Sequence, residues 1–306
     1  DMKTTTLAVL ALSALTPLAT AGTYHLYYFG GQSNMVGFGR ASELPEDMQG
    51  PVDHTRIFFG QIRKDFEPAE GVGCWSDLTP GFGVGARTDG VTPQPSDRFG
   101  PELAFARRMR ELRPDENIAI IKYARGGTSI DDRQPAAGTW DPHDTRGDGE
   151  TKGINQYDHA LATIFNAIRV PDIDGDGEPD TLIPSGIVWM QGESDANAFV
   201  SAADYDTNLA ELIELLRAAM HTDDLPFVMG RISDSRLNAG EDKPQWKHGD
   251  IVRAAQAEVA GADPHAALVT STDSYGYSDR AHYDTAGYLD MGAKFAEAMD
   301  ALRESD

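Results

Sequence analysis

Cysteine is nearly absent: Cys74 is the single one in 306 residues. That excludes an intrachain disulfide framework and any zinc or iron–sulfur site built from several thiolates. Positive charge is also scarce, with 26 Lys and Arg against 49 Asp and Glu, for a formal charge of −23. A field of that sign repels phosphate backbones and anionic lipid surfaces, so neither nucleic acid nor membrane is expected as a partner. Nucleotide signatures are missing too: the chain contains neither G-x-G-x-x-G nor a P-loop lysine pattern after its first strand. Beyond the N-terminus no apolar run approaches the ~20 residues of a membrane span. What remains is 40% hydrophobic and 25% charged, enough for a substantial core and compatible with neutral, cationic or saccharide ligands. The oligomeric state is left open.

The first residues read as an export signal rather than as fold. Lys3 precedes the apolar run Leu7 to Leu12, which continues through Leu15 and Leu18 to Ala19-Thr20-Ala21. A basic start, a short apolar middle and a small-x-small ending predict a signal peptide over 1–21, cleaved after Ala21, and a secreted or periplasmic protein. Asp1 stands ahead of Met2 and reads as an extra residue. Residues 22–306 are then expected to form one domain, since no repeat or linker-like shift in composition divides them.

Within that stretch, short β-rich runs alternate with helical periods. Residues 24–29, 118–123, 186–190, 227–230 and 266–269 are apolar without strict alternation, which suits strands buried on both faces of a parallel sheet. Helical spacing covers 102–112, 156–168, 202–220, 251–259 and 285–302. The pattern predicts an α/β fold, a three-layer α/β/α sandwich around a central parallel sheet. Right-handed crossovers would gather the strand C-termini on one edge, where open α/β sheets bind ligands. The long connections 67–100 and 133–154 are expected to frame a site.

Four polar turns follow predicted strands. Gly30-Gly31-Gln32-Ser33-Asn34-Met35 ends the first, and its glycines permit a tight turn with backbone amides close to Ser33. It is not a G-x-S-x-G elbow, because Met35 occupies the second glycine's place; Ser33 could equally cap a helix. A serine nucleophile needs a base that a third group orients. Ser278-Asp279-Arg280-Ala281-His282 offers both, a carboxylate three residues before an imidazole, while the other seven histidines lack such a setting. Arg125-Gly126-Gly127-Thr128 and Gln191-Gly192-Glu193-Ser194-Asp195 complete the set. Each alone could be a turn and a cap; four on one sheet edge point to a catalytic rim.

These turns, in order, resemble the signature blocks of the SGNH/GDSL hydrolase superfamily, and more closely its sialate O-acetylesterase and acetylxylan esterase branch (carbohydrate esterase family 6). Gly31-Gln32-Ser33-Asn34-Met35 is similar to the nucleophile block of that branch, Gly126-Gly127-Thr128 to its glycine block, Gln191-Gly192-Glu193-Ser194 to its third and Asp279-x-x-His282 to its last. The resemblance implies a flavodoxin-like fold and removal of acetyl groups from a sugar or polysaccharide, with an acetylated carbohydrate as substrate and no metal or organic cofactor. It assigns Ser33 as nucleophile, His282 as base and Asp279 as orienting carboxylate, with Glu193 the alternative acid. The oxyanion hole would combine the amides of Ser33 and Gly127 with Gln191, or else Ser194, because the asparagine of other SGNH members is absent. Trp75 and Trp140, in the long connections, are candidates to stack on sugar rings, and Arg125 or Arg280 to meet an acidic sugar. The rival readings are an esterase for small non-sugar esters and a glycan-binding module without turnover.

A second ligand is suggested independently. Asp172-Ile173-Asp174-Gly175-Asp176-Gly177-Glu178-Pro179-Asp180 alternates acids around a glycine turn, a pattern that converges hard oxygen ligands on Ca²⁺. Ile183 stands where an EF-hand would close with glutamate, so the expectation is a structural calcium loop of Asp172, Asp174, Asp176 and Asp180, on the sheet edge opposite the chemistry.

Overall fold

A computed structural model of the chain describes residues 21–134, 137–146 and 152–304. The expected signal segment therefore lies outside the described residues, except for Ala21. No helix among the described residues is long and apolar enough to cross a membrane.

The strands of the main sheet are β1 (Thr23–Gly31), β2 (Thr55–Gly60), β3 (Gly73–Asp77), β4 (Asn117–Ala124), β5 (Thr181–Met190), β6 (Phe227–Gly230) and β7 (Ala266–Val269). Their spatial order is β7-β6-β5-β1-β4-β2-β3. All neighbours pair in parallel except β2 and β3, which run antiparallel at one edge. The second half of β1 is buried without interruption, and so is that of β5. Both faces of these strands are covered, which explains the missing alternation.

The helices are α1 (Ser33–Val36), α2 (Pro101–Leu112), α3 (Gln156–Ile168), α4 (Tyr205–Ala219), α5 (Gly249–Ala262) and α6 (Thr285–Arg303), with shorter turns between them. Helices α2 and α6 touch closely: a Cβ placed on Gly292 would stand 2.3 Å from the Pro101 carbonyl oxygen. Right-handed crossovers put α3, α4 and α5 on the opposite face.

Two expectations need correction. The connection 67–100 is not free of strands, since it contains β3, and β2 just precedes it. Gly73-Cys74-Trp75-Ser76-Asp77 carries no apolar run, because an edge strand needs only one covered face. The helix expected over 202–220 breaks at Asp204 into Phe199–Ala203 and α4.

Strand order reverses at β1, whose two neighbours, β4 and β5, lead away in opposite directions. Ligands of open α/β sheets bind in the crevice above such a point. The turns after β1, β4 and β5 are the Ser33, Gly126-Gly127 and Gln191-to-Ser194 turns.

Candidate active site

Ser33 follows β1 directly, and the strand end is stitched on both sides. The Gln32 N–H donates to the Met190 carbonyl at 2.9 Å, and the Arg125 N–H to that of Gly31 at 3.0 Å. Gly31 has φ +137°, and a Cβ there would come within 2.1 Å of the Met190 carbonyl oxygen, so only glycine lets β5 approach this closely. A single turn, α1, then carries Ser33, which is 8% exposed. The turn is fastened from below by Lys122, whose Nζ donates to the Val36 carbonyl (2.9 Å), the Phe82 carbonyl (2.8 Å) and Glu102 Oε2 (2.6 Å). Burial lowers the Lys122 pKa, with Glu102 opposing that shift. A lysine inside the apolar run 118–123 was the signal for this support.

Across the crevice, His282 Nδ1 lies 2.7 Å from Asp279 Oδ2, while Asp279 Oδ1 accepts from the N–H groups of Ala281 (2.7 Å) and His282 (2.9 Å). Burial alone would raise the Asp279 carboxyl, but the ring and these two amides hold it below its usual value. The ring stacks on Phe38, with centroids 3.5 Å apart and planes 6° from parallel. Asp284, not His282, caps α6 by accepting from the Gly287 N–H.

Asn34 joins the two halves. Its Nδ2 donates to the Ala281 carbonyl (3.0 Å) and to Glu193 Oε1 (2.7 Å), and its Oδ1 accepts from the Tyr283 N–H (3.4 Å) and Tyr288 hydroxyl (2.9 Å). The residue after Ser33 thus grips the residues on both sides of His282. Among the described residues the Ser33 hydroxyl has no hydrogen-bond partner, so no direct bond joins it to the ring in this structure.

The turn after β5 is buried and internally bonded. Gln32 Oε1 accepts from the Ser194 N–H (3.2 Å), with the Gly192 N–H and Gln191 Nε2 each at 3.4 Å. Gln191 Nε2 also donates to Asp195 Oδ2 (2.5 Å) and the Thr128 carbonyl (3.0 Å). Both of its amide hydrogens are committed and its side chain is fully buried, so Gln191 is not the free oxyanion donor the sequence suggested. The backbone N–H groups of Ser33 and Gly127 have no hydrogen-bond partner among the described residues. A Cβ placed on the adjacent Gly126 would stand 3.3 Å from that of Ser33, and Gly127, at φ +75°, takes the left-handed conformation that turns the chain there.

Glu193 does not reach the imidazole in any bond present. Its Oε1 holds Asn34, its Oε2 has no partner, and full burial raises its pKa. Asp195 is equally buried and is pushed up to about 7, against donors from Gln191, Asp131 and Ile130.

Other candidates separate from this group. Trp140 is fully buried, donates to Thr128 Oγ1 at 2.8 Å and meets Trp189 edge-on, so it offers no face to a sugar. Trp75 lies on edge strand β3 with its Nε1 on the Ala167 carbonyl (3.0 Å), anchoring β3 to α3. Arg280 is exposed, and the Arg125 Nε is buried without a partner. In the acidic loop, Asp172, Asp174 and Asp176 bring carboxylate oxygens within 4.8 Å of one another. Asp180 turns away to accept from the N–H groups of Gly22 (2.9 Å) and Ile173 (2.7 Å). Those contacts lie at the start of β1, on the edge opposite Ser33.

A mostly parallel sheet with a serine turn at its switch point, and a carboxylate–imidazole pair on the loop that Asn34 holds to that turn, is an arrangement suited to ester hydrolysis. Residues 23–301 match the family described as carbohydrate esterase, sialic acid-specific acetylesterase, and the chain belongs to it. Among solved structures it is similar to a carbohydrate acetylesterase from Xanthomonas citri (TM-score 0.63, 19% identity, 92% of this chain and 57% of that one). It is also similar to an Arabidopsis thaliana protein (0.61, 18%, 92% and 98%) and to NanS (0.59, 16%, 94% and 100%). At these identities the likeness is one of fold. A search of curated proteins by sequence finds no match.

Proposed function

We propose that the protein is an exported O-acetylesterase that removes acetyl groups from a sugar or polysaccharide through Ser33, His282 and Asp279. The observation that carries this reading is the 2.7 Å contact between Asp279 Oδ2 and His282 Nδ1 on a loop clamped by Asn34, the residue after Ser33. A carboxylate on Nδ1 fixes the tautomer that leaves Nε2 as proton acceptor.

In the first half-reaction His282 takes the hydroxyl proton as Ser33 Oγ bonds to the acetyl carbonyl carbon. The negative oxygen is received by the N–H groups of Ser33 and Gly127. The tetrahedral adduct collapses, the C–O bond to the sugar breaks, and the imidazolium returns its proton to the departing sugar hydroxyl. Water, deprotonated by the same ring, then attacks the acetyl-serine; acetate leaves and Ser33 recovers its proton.

Acetate release from acetylated xylan, acetylated sialic acid and p-nitrophenyl acetate tests the reading. Ser33→Ala should lower turnover ~10⁴-fold or more on every substrate the wild type uses; wild-type rates in that variant overturn it. Export rests on the composition of residues 1–21, and N-terminal analysis of protein recovered outside the cytoplasm should find Gly22 first. An intact N-terminus there removes the signal-peptide reading.

A further inference from the structure

Beside the loop that carries Asp279 and His282 lies a cavity of about 490 Å³ between the segment after β6 and the start of α5. That is within the range of small-ligand sites. Its walls are built rather than accidental. Asp234 Oδ1 accepts from the N–H groups of Arg236 (3.0 Å), Leu237 (3.2 Å) and Gln245 (2.9 Å), and Oδ2 from that of Trp246 (2.9 Å). One carboxylate therefore fixes both ends of the segment that lines the cavity. The neighbouring serines tie the same wall to the catalytic loop: Ser233 Oγ meets the Tyr277 and Tyr283 hydroxyls at 2.5 and 3.2 Å, and Ser235 Oγ donates to the Arg280 carbonyl at 2.7 Å.

The cavity also holds unspent binding groups. Trp246 lines it half-buried, and among the described residues its Nε1–H and the side chains of Asn238, Lys247 and Asp250 have no hydrogen-bond partner. An apolar aromatic plate flanked by an amide, a cation and a carboxylate complements a sugar ring, which shows a C–H face and a rim of hydroxyls. Of the four tryptophans, Trp246 is the one that lines this space; like Trp75 it also packs against the core, which holds its ring in place.

We infer that this cavity is a saccharide subsite, holding the sugar next to the acetylated one, with Trp246 as its platform. The inference rests on the esterase reading and adds to it a substrate longer than one sugar.

The test compares kcat/KM on an acetylated xylo-oligosaccharide or an acetylated sialyl-oligosaccharide with kcat/KM on p-nitrophenyl acetate. Trp246→Ala should reduce the oligosaccharide-to-p-nitrophenyl acetate ratio about tenfold, mostly through KM, and Trp246→Phe should restore it to within about twofold. An unchanged ratio in Trp246→Ala overturns the subsite, as does a wild type that hydrolyses p-nitrophenyl acetate through Ser33 but neither oligosaccharide. Hydrolysis that survives Ser33→Ala instead overturns the esterase reading itself, which keeps the two failures distinct.

Discussion

Two acidic turns meet at Asn34, and burial separates their chemistry. On the rim, Asp279 is 51% exposed in its side chain and held below its usual pKa by an imidazole and two backbone amides. In the interior, Glu193 and Asp195 are fully enclosed and pushed upward. A carboxylate that must steady an imidazolium has to be ionised before the proton arrives, and the rim supplies that state. The interior pair serves as hydrogen-bond acceptors, Glu193 for the amide of Asn34 and Asp195 for Gln191 and the turn at Ile130. The three carboxylates therefore differ by whether desolvation outweighs the hydrogen-bond donors around them, as for Glu193 and Asp195, or is outweighed by them, as for Asp279.

Exchanging each carboxylate for its amide is the sharpest way to break that contrast. Asp279→Asn should lower kcat by about 10²–10⁴-fold, because an amide on Nδ1 favours the wrong tautomer and cannot stabilise the imidazolium. Glu193→Gln should cost less than about tenfold, since its Oε1 still accepts from Asn34. Steady-state rates on p-nitrophenyl acetate measure both, and a larger loss in Glu193→Gln would reverse the assignment.

The rim was legible in the sequence because its logic is local. Asp279 and His282 lie three residues apart, and the strands at 227–230 and 266–269 and the helix at 156–168 stand out as short apolar runs and a helical period. The interior was not legible, because its bonds join residues far apart. Gln191 looked like a donor until Asp195 and the Thr128 carbonyl were seen to occupy it. Phe38 beneath the imidazole carries no motif, and Trp140 looked like a surface aromatic although its loop folds inward, bridging Thr139 to Ser129. Composition finds groups that act through neighbours in sequence; it does not reveal whether a polar atom is already satisfied.

The same contrast predicts opposite dependences of stability on pH. Asp195 binds its proton more tightly when folded, at about 7 against a usual 3.8. Between those values the folded protein retains a proton that the unfolded chain has released, so stability falls as pH rises through the interval. Asp279 has the reverse sign: its contribution is present above its unfolded pKa and fades as pH drops through the lower folded value. The Asp195 effect amounts to about 2–4 kcal/mol across the interval. Denaturant midpoints at pH 5 and pH 8 should thus differ more in the wild type than in Asp195→Asn, and parallel profiles would contradict the burial argument.

The acidic loop at the other end of β1 extends the comparison to carboxylates that are neither buried nor paired with a cation, and it carries the smallest expected effect. Asp172 accepts from the N–H groups of Gly175 and Gly177, and Asp174 from those of Asp176 and the Tyr24 hydroxyl. These bonds shape the turn, but three negative groups still crowd within 4.8 Å. We propose that Ca²⁺ relieves the repulsion by bridging Asp172, Asp174 and Asp176 without Asp180, whose oxygens already hold Gly22 and Ile173. Weak extracellular sites bind in the ~10⁻⁴–10⁻³ M range, so about 1 mM Ca²⁺ should add on the order of 1 kcal/mol and raise the melting temperature by about 2–4 °C over EDTA. Asp176→Asn should remove that increment while leaving esterase rates intact, because the loop lies against the start of β1 and Ser33 follows its far end. Equal melting temperatures in Ca²⁺ and EDTA would reduce the loop to a solvated turn.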